Sequence, residues 1–167
     1  YDFEDAFPLK TLSQGYIDFH NDGGSIENVT KLNTGNFGAN GVYANVTDLY
    51  RFMHALMREK RFITEENLNF IFENMAEQDP DDPGRSNVFF SYGSILNEFQ
   101  DVIRTLPEEI QAYGHGGSDL GHSANLDYLP HNNTIFAATY NYGLALRSDL
   151  GTTLREMQDE LFLIMVE

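Results

Sequence analysis

Tyr113-Gly114-His115-Gly116-Gly117-Ser118-Asp119-Leu120-Gly121-His122-Ser123-Ala124-Asn125-Leu126-Asp127-Tyr128-Leu129-Pro130-His131-Asn132-Asn133-Thr134-Ile135-Phe136-Ala137-Ala138-Thr139-Tyr140-Asn141 reads as a glycine-rich strand end that presents a histidine, followed at once by a β-hairpin. Gly116 and Gly117 carry no side chain, so a ligand can approach the backbone there. Strand character runs near Gln111 to His115, from His122 to Leu129 and from Thr134 to Tyr140. Pro130-His-Asn-Asn133 is a four-residue hairpin loop in which Asn suits left-handed backbone angles.

Working outward, the periodicity predicts a helix from about Thr47 to Lys60. Leu49, Phe52, Met53, Leu56 and Met57 follow the helical spacing, with Thr47 as cap and Asp48 at the positive end. A second helix runs from about Glu65 to Met75, capped by Thr64, with Leu68, Ile71, Phe72 and Met75 on its apolar face. Strand character also appears over Val88 to Phe99. Ser148 caps a last helix, and its stripe of Leu150, Leu154, Met157, Leu161 and Ile164–Met165 should lie on the sheet. The whole is an α+β chain read as a single portion, 1–167: irregular over 1–41, helical over 42–87, antiparallel strands over 88–141, and a closing helix over 148–166. Residues 76–87 form an acidic Pro/Gly loop.

The chain has 167 residues, 41% hydrophobic and 13% aromatic, enough for a packed core. Lys and Arg number 10 against 26 Asp and Glu, a net charge of -16 that repels phosphate backbones and anionic lipid, so nucleic acid is not an expected partner. There is no cysteine, which excludes disulfides and thiolate chemistry. No apolar run reaches the roughly 18 residues that span a bilayer, so no transmembrane segment is expected. Asn28-Val-Thr30, Asn45-Val-Thr47 and Asn132-Asn-Thr134 fit the glycosylation pattern, a triplet that arises often by chance.

The segment from His115 to Asn141 resembles the third active-site motif of the serine β-lactamase and penicillin-binding-protein superfamily, in the branch with His-x-Gly where other members have Lys-Thr-Gly. The resemblance is to the class C β-lactamase-like serine hydrolases. Gly38-Ala-Asn-Gly41 with Thr47-Asp48-Leu49, Arg61-Phe-Ile-Thr64 and Ser91-Tyr92-Gly93 are similar to further segments of that family in the same order. The likeness covers roughly residues 15–165, always as the C-terminal part of the catalytic domain.

That resemblance implies roles. His115 stands where the family's Lys or His donates a hydrogen bond or charge to the substrate. Ser118 matches the residue whose backbone N–H forms half of the oxyanion hole, and such a donor is worth roughly 3–4 kcal/mol. Gly116, Gly117 and Asn141 line the substrate side. The nucleophile motif, Ser-x-x-Lys, is absent: none of Ser13, Ser25, Ser86, Ser91, Ser94, Ser118, Ser123 or Ser148 has lysine three residues on. Truncation upstream explains this best. Tyr43-Ala-Asn45 and Ser123-Ala-Asn125 match the second motif in form but fall at a turn and within a hairpin, and are read as decoys.

Rival chemistries fare worse. His115 and His122 lack a third zinc ligand at helical spacing, and Asp79, Asp81 and Asp82 lack the order of a calcium loop; no metal or cofactor is expected. His115-Gly-Gly with Gly121-His-Ser123-Ala imitates a lipase oxyanion loop and nucleophile elbow, but position 125 is Asn and no room remains for the strand and helix between them. The expected function is that of the C-terminal part of a serine hydrolase acting by acyl transfer on a β-lactam, a D-amino-acid peptide or a small ester, without its nucleophile in this chain. The partners are then a small-molecule or peptidoglycan-like substrate and, through unpaired edges, a second copy by self-association. The alternative is a non-catalytic binding or regulatory homologue. A periplasmic or extracellular location follows from the resemblance alone.

Overall fold

In a computed structural model of the chain, the residues described are 12–23, 25–32, 42–74, 76–77, 88–91, 94–98, 111–144, 146 and 148–166. They group into two compact units, one drawn from residues within 1–41, 118–123 and 140–152, the other from 42–117, 124–139 and 153–167.

In the first unit the short strands β1 (Tyr16–Ile17) and β2 (Glu27–Asn28) pair antiparallel. Residues 1–41 were expected to be irregular; this pair corrects that for the part described. Ile17 is fully buried and Val29 nearly so. Gly15 and Gly121 cross closely: a Cβ on Gly121 would stand 2.9 Å from the Gly15 Cα. Only residues without side chains allow this approach.

The larger sheet follows chain order as a meander of β3 (Ala76–Glu77), β4 (Val88–Ser91), β5 (Ser94–Glu98), β6 (Gln111–Ser118), β7 (Ser123–Leu129) and β8 (Thr134–Tyr140). The strand character over Val88–Phe99 takes the form of two strands, β4 and β5. Ser91 pairs with Ser94, so the chain reverses across a two-residue gap that apolar periodicity does not signal. The hairpin loop after β7 behaves as its sequence suggests. Asn133 has φ 59°, and Arg58 donates from Nε to its Oδ1 at 2.9 Å.

Helix α1 (Val46–Met53) continues into a π-helical turn, His54–Arg58. Its cap is Asn45 rather than Thr47: Asn45 Oδ1 accepts from Asp48 N at 3.0 Å. Asn places its acceptor over the third residue on, as a capping side chain must. Helix α2 (Glu65–Glu73) starts as expected, with Thr64 Oγ1 accepting from Asn67 N. Met53, Met57 and Leu68 from these helices form one buried cluster, against which Tyr113, Leu126, Tyr128 and Ile135 of the sheet pack.

The opposite face of the sheet carries Ala112, Leu129 and Phe136 and is covered by α3 (Asp149–Val166). The expected stripe reaches that contact through Met165, and the centre of the contact is Phe162 instead. Phe162, 3% exposed, seats against Phe136 edge-on at 5.7 Å, with Leu163 and Met165 beside it. An aromatic ring buries more area than any Leu or Met of the stripe, so it sets the helix rotation. Leu150, Met157, Leu161 and Ile164 are left 39–70% exposed.

Candidate active site

The site is built on the end of β6. Alternation puts Ala112, Gly114 and Gly116 on the α3 face and Tyr113, His115 and Gly117 on the face of α1 and α2. The Phe72 ring of α2 lies 4.0 Å from that of Tyr113 and holds the strand down. Beyond this contact the strand emerges: His115 and Gly117 are exposed. A Cβ on Gly117 would find no atom within 4 Å, so the backbone there is open. Gly116 differs. A Cβ on it would stand 2.8 Å from Asn125 Nδ2, so its empty space is taken by the Asn125 side chain on β7.

His115 Nδ1 contacts the carbonyl of Gly116 at 2.5 Å. A carbonyl only accepts, so Nδ1 carries the proton in this contact and Nε2 remains for another partner. Ser118 ends the strand. Its hydroxyl accepts from Leu144 N at 2.6 Å and meets Ser123 Oγ at 2.9 Å, while Ser123 Oγ donates to Tyr142 O at 2.8 Å. The Ser118 side chain thus ties chain segments together. Asn141 follows β8; it is exposed, and its carbonyl accepts from Tyr16 N at 3.0 Å. His122 Nε2 lies 3.1 Å from Ser13 Oγ and from Ser13 O, a local clamp on the segment before β1.

Among the described residues no three His, Asp or Glu side chains gather as a metal site, and no helix is long and apolar enough to cross a membrane. The motif segments Gly38–Gly41 and Tyr92–Gly93 and the acids Asp79, Asp81 and Asp82 lie outside the described residues. Asn45 and Asn28 use their side chains to bond backbone or Thr30, and Asn132 Nδ2 donates to Met165 O at 2.8 Å.

Two residues near the strand escaped the sequence reading. One is Asn125, named in the sequence only as part of a decoy motif, whose filling of the space at Gly116 that motif does not announce. The other is Asp127, 3% exposed, whose Oδ1 has no hydrogen-bond partner among the described residues. Burial alone pushes its pKa up to about 7. The signal available was an acid inside the apolar run Leu126-Asp127-Tyr128-Leu129.

No family model matches the chain, and no curated protein matches it. Among solved structures, a D-stereospecific amidohydrolase from Streptomyces sp. is similar, with 20% identity and a TM-score of 0.57. The alignment covers 83% of this chain and 37% of that one, so the chain spans little over a third of the amidohydrolase's length. The chain therefore has an α+β fold shared with part of that structure.

Proposed function

We propose that the chain forms the C-terminal part of a serine hydrolase related to the β-lactamases, acting by acyl transfer on a β-lactam, a D-amino-acid peptide or a small ester. The observation that carries this reading is the exposed ledge of His115 and Gly117 at the end of β6, in a fold shared with an amidohydrolase. As the imidazolium, with Nδ1–H on the Gly116 carbonyl, His115 donates from Nε2 to the substrate carboxylate or carbonyl. The Ser118 N–H supplies one oxyanion donor. Gly117 admits the substrate to the backbone, Gly116 keeps the strand flat under Asn125, and Asn141 lines the pocket. The serine and its lysine come from polypeptide outside these 167 residues, since no Ser-x-x-Lys occurs within them.

The test is active-site labelling. A protein containing this chain, treated with a fluorescent penicillin or a fluorophosphonate and mapped by peptide mass, should carry the adduct on a serine outside the 167 residues. The chain alone should carry none. A stoichiometric adduct on a serine of this chain would overturn the reading. The second reading, a non-catalytic binding homologue, is favoured where Ser-x-x-Lys is missing upstream as well, and it gives no adduct on either polypeptide while still binding the ligand reversibly.

A further inference from the structure

We propose that Asp127 is a positioning residue for His115: its uncharged carboxyl group seats β6 against β7, and ionisation of that group unseats the His115 ledge. The part His115 plays toward a substrate rests on the acyl-transfer reading; the seating of β6 does not.

His115 is held through its two chain neighbours. Alternation puts Asn125, Asp127 and Leu129 of β7 on the same face as Gly114 and Gly116 of β6. Each glycine gives up its side-chain space to one of these residues. A Cβ on Gly114 would run into the Asp127 carboxylate, and one on Gly116 would meet Asn125 Nδ2 at 2.8 Å. Both residues that flank His115 therefore rest on β7 side chains. The Gly116 carbonyl in turn accepts from His115 Nδ1, so a shift of β6 at this point is carried to the imidazole.

The seat is sensitive to charge. Asp127 is 3% exposed, and its Oδ1 has no hydrogen-bond partner among the described residues. It shares its face with the buried Ala112, Leu129, Phe136 and Phe162. A carboxylate in such surroundings must find water or a donor, and reaching either means parting the strands at Gly114.

No cation on the surrounding elements removes that need. On this face β6 presents Ala112, Gly114 and Gly116, and β7 presents Asn125 and Leu129, none of which titrates. On β8, Phe136 and Ala138 are neutral, and Tyr140, which shares the face by alternation, is kept protonated by burial. From α3, Phe162, Leu163 and Met165 pack here. Of the charged residues before them, Arg155, Glu156, Asp159 and Glu160, the one a single turn from Phe162 is Asp159. It is an acid whose own pKa is raised by burial and by Glu156 and Glu160. Burial alone raises Asp127, which places the switch at about pH 7, seated below and unseated above.

Two measurements on a complete protein containing this chain test this, one of them blind to catalysis. The first is amide hydrogen exchange by peptide mass, corrected for the intrinsic rate at each pH. From about pH 5.5 to about pH 8.5, peptides of β6 should lose protection by about 10-fold or more relative to peptides of α1 and α2. Asp127→Asn, uncharged and of the same shape, should abolish this contrast. Asp127→Ser, smaller and equally uncharged, should do the same and serves if Asn is not accommodated. The second is the rate of acylation by a penicillin or ester probe, taken as the ratio of wild type to Asp127→Asn, in which the titration of His115 itself cancels. The ratio should be near one below about pH 6 and fall about tenfold per pH unit above about pH 7. Equal loss of protection in β6 and the helices, a β6 contrast that persists in both variants, or a ratio indifferent to pH would each overturn the proposal. A protein that acylates in neither form overturns the acyl-transfer reading instead, and the exchange contrast then decides the seating.

Discussion

Gly114 on β6 and Asp127 on β7 fit together because Gly114 has no side chain: a Cβ there would run into Leu126 O and the Asp127 carboxylate. The neighbouring strand lends its missing side chain to a buried acid. Gly114→Ala must push the strands apart or displace the carboxyl group, and overpacking of this kind costs about 1–3 kcal/mol. Urea denaturation should show the loss as a lower midpoint at unchanged slope. An unchanged midpoint would mean that the strands adjust freely.

The same carboxyl group makes stability depend on pH. Its pKa is raised from 3.8 to about 7 by burial, so the folded state holds the proton more tightly than the unfolded chain. The stability it contributes is complete below pH 3.8 and is lost as pH rises to about 7, by on the order of 4 kcal/mol. Asp127→Asn keeps the shape without the charge. The unfolding free energy of wild type minus that of Asp127→Asn should therefore fall across this window and level off above it. A difference independent of pH would show that the Asp127 carboxyl group titrates alike in the folded and unfolded states.

Ser148 is buried, accepts from Gly151 N at 3.0 Å at the start of α3, and meets Tyr142 OH at 2.8 Å. Ser148→Ala removes both bonds. It should cost about 1–2 kcal/mol in thermal or urea unfolding, whereas Ser148→Thr, which keeps the hydroxyl, should cost less.

Ser148 and Thr64 were legible because a helix start needs a short oxygen-bearing side chain three residues ahead of an unpaired N–H, a purely local demand. The hairpin of β7 and β8 was legible for the same reason, through Asn133 and the run of turn residues. The rotation of α3 was not. Its Leu and Met stripe looks like a sheet-facing surface by period alone. What decides the rotation is one aromatic, Phe162, and the shape of the Ala112, Leu129 and Phe136 surface it meets, which lies far off in sequence. The division of Val88–Phe99 into two strands depends likewise on pairing and not on local pattern. At the site, the motif pointed to His115 and Gly117 as open positions, but it could not show that Asn125 fills the space at Gly116, a contact across strands.

In the proposed function, the end of β6 forms a wall of an acyl-transfer pocket, with His115 stabilising the substrate and a serine elsewhere attacking it. The direct measurement is the rate at which a reactive penicillin or ester probe acylates a complete protein containing this chain, compared for wild type, His115→Ala and His115→Lys. His115→Ala should slow acylation on the order of 10²–10³-fold without abolishing it, the loss expected for one preorganised donor, and His115→Lys should retain more of the rate. Acylation of His115→Ala at the wild-type rate would contradict the account and leave His115 an exposed strand residue without a part in the chemistry.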